Sequence, residues 1–393
     1  MTITAITHFL IFFTTPCDLS KPPSRLQVAP LLPYFMGTNG EGSRMTYGNY
    51  LQIEKLLSLQ DGPEGHDPLP CNDEMHFIVV HQVFELWFKI AIRELKEAHN
   101  MLSVALVPEE DIPRIVHHLK RCVALFDLMA QQWKVMETLT PQDFLSFRDR
   151  LGTSSGFESW QMRAVEMLLG LDSSQRIGGM DPMIHFEKLL SEGTISSDVM
   201  SDLKEIDNLP SLNEAMRTWL SRTPVNGRSE DPEVMESYVE RHLEIMRAHG
   251  EQVIAHMVAI GHGEEESIRP RIESGISGAE EFLRPDGKID AARVGLLFIE
   301  SYRELPLLAW PRRLLDTIVE LEESMLLFRS HHARMVERMI GRRMGTGGSS
   351  GVDYLDMTLK YRIFTDLWAV RTILVKRELL DDIVNPEFYG FAI

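Results

Sequence analysis

The segment Asn72-Asp73-Glu74-Met75-His76-Phe77-Ile78-Val79-Val80-His81-Gln82-Val83-Phe84-Glu85-Leu86-Trp87-Phe88-Lys89 reads as helix. Phe77, His81, Phe84 and Phe88 fall at spacings of 4, 3 and 4, the rhythm of one helical face, and the pattern continues to about Asn100. Asn72 or Asp73 can cap its start, and Asp73-Glu74 stand in the first turn, where the dipole favours anions. His81 sits on the aromatic face, where a neutral imidazole needs a hydrogen-bond partner. It is either a satisfied core histidine or one facing an apolar cavity that holds a flat ligand.

Outward from this segment the chain repeats the helical pattern. Tyr47-Gly48-Asn49-Tyr50-Leu51 opens a short helical stretch that ends near Gln60, and Asp111-Ile112-Pro113 opens a long one to about Thr138. Glu236 to Ile260, Glu322 to Ile340 and Asp353 to Leu380 follow as helices; Glu264 to Arg284 reads as solvated or mobile. No run of alternating β-branched residues is long enough for a sheet, so the expected class is all-α. Residues 1–45 read as a variable extension. Its apolar run, Phe9 to Phe13, is too short to span a bilayer and has no Lys or Arg before it. Residues 46–393 are expected to form a single helical domain with a middle insertion around 180–300.

The 393 residues are 44% hydrophobic and carry 58 acidic against 40 basic side chains, a net charge of -18, which disfavours a nonspecific nucleic-acid or anionic-membrane binder. With 3 cysteines and no CxxC spacing, a disulfide scaffold is excluded and a reducing cytoplasm suits the chain.

Histidine is the first resource for chemistry. His242, His249 and His256 recur every seven residues, steps of about 10 Å along a helix that cannot share one ion, and read as a surface or interface stripe. His117 and His118 point about 100° apart. This leaves His76, His81, His331 and His332. The last two share a segment with Arg329, Arg334, Arg338, Arg342 and Arg343, whose charges need Glu322, Glu323, Glu337 or a bound carboxylate nearby. Phe144 and Arg148, four apart, pair an aromatic with a guanidinium fork, fitting a ligand with a ring and a carboxylate, or else a plain surface pair. The loop Gly345-Thr346-Gly347-Gly348-Ser349-Ser350-Gly351 can wrap a small polar ligand or merely link two helices. It has no Walker lysine.

Taken together, these blocks resemble the tryptophan 2,3-dioxygenase family of heme enzymes. The similar text is Tyr47 to Leu51; Phe77 to Gln82 with Glu85 to Lys89; Phe147-Arg148 with Ser154 to Phe157; His332; Glu337 to Gly341; Gly345 to Gly351 with Tyr354-Leu355; and Asp366 to Trp368 with Val370 to Thr372. The resemblance implies an all-helical heme-dioxygenase fold and one ferrous heme b per subunit held by His332, fourteen residues before Thr346. His81 would accept the indole N–H with Phe77 on the ring. Arg148 would clamp the substrate carboxylate beside Phe144 and Thr346, and Ser155 would lie near the heme. Tyr47, Tyr50 and Leu51 would come from a neighbouring subunit of a cytoplasmic homotetramer. The implied reaction is oxidation of the indole C2–C3 bond of L-tryptophan by O2 to N-formylkynurenine.

The text also departs from the family's usual pattern, at Val83, Glu158, Trp160, Phe328, His331 and Thr365. Divergent members oxidise modified tryptophans, so the alternative outcome is monooxygenation of tryptophan or β-methyl-tryptophan to a 2-oxindole. A helical interaction protein without enzymatic activity is the competing class. It would need neither His81 in an apolar face nor the glycine loop.

Overall fold

A computed structural model describes residues 45–62, 67–152, 154–228, 231–345 and 350–390. The extension before Met45, and Thr346 with its neighbours 347–349, lie outside the described residues. The α-helices, in order, are α1 (Tyr47–Leu51), α2 (Ile53–Leu56), α3 (Asn72–Leu102), α4 (Ile112–Met136), α5 (Pro141–Phe147), α6 (Trp160–Leu169), α7 (Pro182–Ser191), α8 (Ser197–Asp207), α9 (Leu212–Leu220), α10 (Pro232–Ala259), α11 (Glu265–Leu283), α12 (Ala291–Ser301), α13 (Ala309–Ile340), α14 (Val352–Thr358) and α15 (Thr365–Ile373). Among the described residues there is no strand, only an isolated bridge between Val225 and Arg228. The fold is all-α, as expected.

The chain divides into two units between Leu57 and Ser58. In the first, Thr46 Oγ1 caps α1 by accepting from Asn49 N at 3.3 Å, and Gln52, at φ 53°, breaks α1 from α2. In the second, α4 is the central helix, packed between α3 and α13. α3 presents Val80, Phe84, Phe88, Ala91, Leu95, Ala98 and Leu102 to the core, at spacings of three and four. α4 answers with Ile115, Leu119, Cys122, Phe126, Met129, Trp133 and Met136. Full burial of one such large side chain stabilises the fold by about 1.5–3 kcal/mol, and this three-helix stack forms the wall on which the site is built.

Several local expectations are corrected. Cys71, not Asn72 or Asp73, occupies the N-cap of α3, and no side chain caps it. The stretch 265–283 is a helix rather than a solvated segment: Ile272 and Ile276 pack on Gly250 of α10, where a Cβ would stand 2.6 Å from Ile272 Cγ2. Residues 353–380 are not one helix. Glu322 of α13 accepts from the backbone N–H groups of Ile363 and Phe364 and from Trp368 Nε1, which diverts the chain between α14 and α15. His242 belongs to no surface stripe: it is buried and Nε2 donates to Ile373 O at 2.9 Å, whereas His256 is exposed.

Candidate active site

α3, α4, α5, α13 and α14 surround an open-mouthed cavity of about 310 Å³. That lies at the lower end of the roughly 300–1,000 Å³ of an ordinary small-ligand pocket. Phe77, His81, Phe144, Arg148, Ser155 and His332 all stand on its wall. These residues lie as much as 255 positions apart in the chain.

His81 projects from the third turn of α3. Its Nδ1 donates to Phe77 O at 2.8 Å, one turn back. A carbonyl can only accept, so the proton is on Nδ1 and Nε2 keeps its lone pair. Burial lowers the His81 pKa, and the opposing effects of the Phe77 carbonyl and Glu85 do not cancel it. The result is a neutral acceptor on an apolar wall, beside the Phe77 ring at a centroid distance of 4.1 Å.

Facing it from α13 is His332, whose pKa burial and the neighbouring His81 push down to about 3. Its ring stacks on Trp133 of α4, centroids 4.4 Å apart and planes within 4°. Neither ring nitrogen of His332 has a hydrogen-bond partner among the described residues. The adjacent His331 points elsewhere: its Nδ1 donates to Ala130 O at 2.8 Å. The remaining sequence candidate, His76, is likewise engaged, with Val135 O.

Arg148 closes α5, a helix begun by the Thr140 capping box and Pro141. Its Nη2 donates to Met344 O at 2.5 Å, which holds the guanidinium beside the glycine loop. Among the described residues no carboxylate pairs with it. Phe144 is buried and meets Phe77 at 5.9 Å between centroids. Ser155 Oγ accepts from Phe157 N at 3.3 Å, which leaves its O–H to donate. Gly345 and Gly351, the two ends of the loop, also line the cavity. Gly351 takes φ +62°, and a Cβ there would lie 2.7 Å from Arg343 O, so the loop's return needs glycine. Tyr47, Tyr50 and Leu51 lie on α1 in the N-terminal unit, exposed.

Sequence reasoning missed two features. One is Trp133, whose stacking on His332 joins residues of different helices. The other is Glu166, fully buried on α6, which binds Arg163 at 2.9 Å, Arg176 at 2.6 Å and Arg329 at 2.8 Å. Burial alone would raise its pKa, but the three guanidinium charges outweigh that and hold it below the ordinary carboxylate value. A lone glutamate within the apolar run Ala164-Val165-Glu166-Met167-Leu168-Leu169 was the available signal. Of the five arginines for which Glu322, Glu323, Glu337 or a bound carboxylate is expected, Arg329 pairs instead with Glu166, and Arg334 takes Glu337 and Asp356.

Whether these residues fit a metal-bearing cofactor can be tested on the donor set. No group of three His, Cys, Asp or Glu that could hold a bare ion occurs among the described residues. A macrocycle that brings its own equatorial ligands needs from the protein only an axial imidazole, an apolar slot and cations for its acidic groups. His332 and the Phe and Met side chains of the cavity meet the first two needs, while Arg163 and Arg329 on its wall are held by Glu166.

The family model described as tryptophan 2,3-dioxygenase matches residues 36–374. The chain belongs to the tryptophan 2,3-dioxygenase family. It is 43% identical over 362 residues to "Tryptophan 2,3-dioxygenase 2" of Ralstonia nicotianae, covering 88% of this chain and 98% of that one. It is 42% identical to the tryptophan 2,3-dioxygenase of Sorangium cellulosum, over 89% of this chain and 88% of that one. A tryptophan 2,3-dioxygenase from Anopheles gambiae is 31% identical over 365 residues. Membership of this family makes the protein an oxygenase with a heme-dependent mechanism.

Proposed function

We propose that this cavity holds heme b through His332 and binds L-tryptophan between His81 and Arg148, and that residues 46–393 form the catalytic domain. The observation that carries this reading is the convergence, on a single apolar cavity, of two neutral imidazoles and the Arg148 guanidinium, which has no carboxylate partner among the described residues. When bound, the heme supplies the activation of O2. The remaining work is done by the chain's own residues. His81 Nε2, held as an acceptor by the bond from Nδ1 to Phe77, receives the indole N–H. Phe77 and Phe144 contact the ring, and Arg148 takes the carboxylate. Two clamps at opposite ends of the amino acid fix where the C2–C3 bond lies, and such positioning contributes strongly to rate. The protein catalyses oxidative cleavage of the tryptophan indole ring to N-formylkynurenine. Supplying ¹⁸O2 to the reduced protein with L-tryptophan tests this: both labelled atoms should enter a ring-opened product. One labelled atom in an intact 2-oxindole would overturn it.

Arg148→Ala should lower kcat/KM by about thirtyfold to several thousandfold. The basis is the roughly 2–5 kcal/mol lost when one partner of a desolvated charge pair is removed. Tryptamine, which lacks the carboxylate, should suffer a similar loss with the intact protein. Equal rates on tryptophan and tryptamine would remove Arg148 from this role.

The assembly we propose is a cytoplasmic homotetramer in which Tyr47, Tyr50 and Leu51 complete a neighbouring subunit's site. Support comes from an exposed apolar row on α3, Met75, Val79, Leu86 and Ile90, which gains from cover. α3 is long and apolar enough to cross a membrane, but its other face packs on α4. Deleting residues 1–44 should leave heme content and activity intact, whereas deletion through Leu51 should abolish most activity at unchanged heme content. A fully active monomer in solution would sink this assignment.

A further inference from the structure

Beside the large cavity lies a second, small one that the reaction does not use. Its lining includes Arg163, Arg176, His185, Phe157, Tyr354 and Met180, and no carboxylate. The charges around it do not balance. Glu166 Oε1 accepts from Arg329, and Oε2 pairs with both Arg163 and Arg176, so one buried negative charge faces three positive ones. The exposed Asp172 also feels the charge of Arg176. After those bonds are made, Arg176 Nε and Nη2, Arg163 Nε and His185 Nε2 remain buried without a partner among the described residues. The Arg176 side chain is only 4% exposed. Native proteins leave few buried polar atoms unpaired, and unpaired donors on a buried cation are the costliest of them.

We propose that this small cavity is a binding site for one free halide-sized anion, such as chloride. Its volume of about 10 Å³ leaves room for a single water-sized centre. A water molecule could accept from two of the four nitrogens but would leave the excess positive charge in place. An anion meets both requirements. Phe157 and Tyr354, edge to face with centroids 4.8 Å apart, line both cavities and so partition them. The occupant is therefore an ion entering on its own, not an arm of a molecule held next door. By fixing Arg163, which also lines the large cavity, the anion braces the edge of the cofactor space.

The test uses the full-length, heme-loaded protein. Sodium chloride is exchanged for sodium gluconate at constant ionic strength while thermal unfolding is followed. Tm should rise saturably with chloride, as binding to the folded state alone requires. Crystals grown in sodium bromide should show one anomalous peak against Arg176 and His185. Arg176→Leu breaks the Glu166 network and can fail to fold, so His185→Phe is the working variant. It removes one donor and fills space, and should raise the half-saturating chloride concentration about tenfold or more. Equal Tm in chloride and gluconate together with no bromide peak would overturn the proposal. A bromide peak present only after heme removal would overturn it too, by assigning the site to the cofactor's own acidic groups.

Discussion

Replacing His332 with Ala is expected to strip the purified protein of most of its heme and reduce turnover by more than the roughly 10–100-fold that loss of a mere supporting partner costs at a metal site. The reasoning is local. His332 is an imidazole on the α13 wall of the large cavity with no hydrogen-bond partner among the described residues, and with its pKa near 3 its lone pair is available at any working pH. Its neighbour provides the control. His331 already donates to Ala130 O, so His331→Ala should lose only one hydrogen bond, about 0.5–1.5 kcal/mol, and keep the cofactor. Heme per subunit, read by absorbance, and partial rescue of His332→Ala by added imidazole are the measurements. If His332→Ala retained full heme with an unchanged spectrum, or His331→Ala lost it, the ligand assignment would be wrong.

The second large effect is on stability. Glu166→Gln should destabilise the fold by about 3–5 kcal/mol, because removing one member of a buried charged network leaves the other charges uncompensated. Most single substitutions cost nearer 1 kcal/mol. Here three guanidinium groups, from Arg163, Arg176 and Arg329, would lose their shared carboxylate. Urea unfolding should show a lower midpoint at an unchanged slope. The pH dependence follows from the depressed Glu166 pKa. A carboxylate held below its ordinary value contributes stability that is complete above about pH 4–5 and is lost as pH falls through the folded-state value. The gap between parent and Glu166→Gln should therefore be widest near neutrality and close on acidification. A gap that stayed constant down to pH 3 would mean the loss comes from packing, not charge.

Much of this arrangement was legible before any coordinates. The 4-3-4 spacing from Phe77 to Phe88 is a local property, since helical geometry alone puts those residues on one face, and α3 follows from it. His81, Arg148 and His332 could be singled out by residue type and by the blocks around them. The solvated reading of 265–283 failed for a related reason. Charge and glycine dominate its composition, yet Ile272, Ile276, Ala279 and Leu283 keep a helical stripe that only the presence of α10 makes worth burying.

By itself, then, the sequence determined what depends on neighbours along the chain: which stretches are helical, which face of each is apolar, and which side chains have the chemistry for a flat ligand and a carboxylate. Only the tertiary structure decided what depends on neighbours in space. It set the two adjacent imidazoles apart, because the carbonyl of Ala130 on α4 engages His331 while His332 lines the cavity. It placed the His81 lone pair in that cavity by spending the Nδ1 proton on Phe77. It assembled Glu166 with Arg163, Arg176 and Arg329, partners up to 163 residues apart. Buried charges must find their counterparts wherever packing brings them, and no period along the chain records where that is.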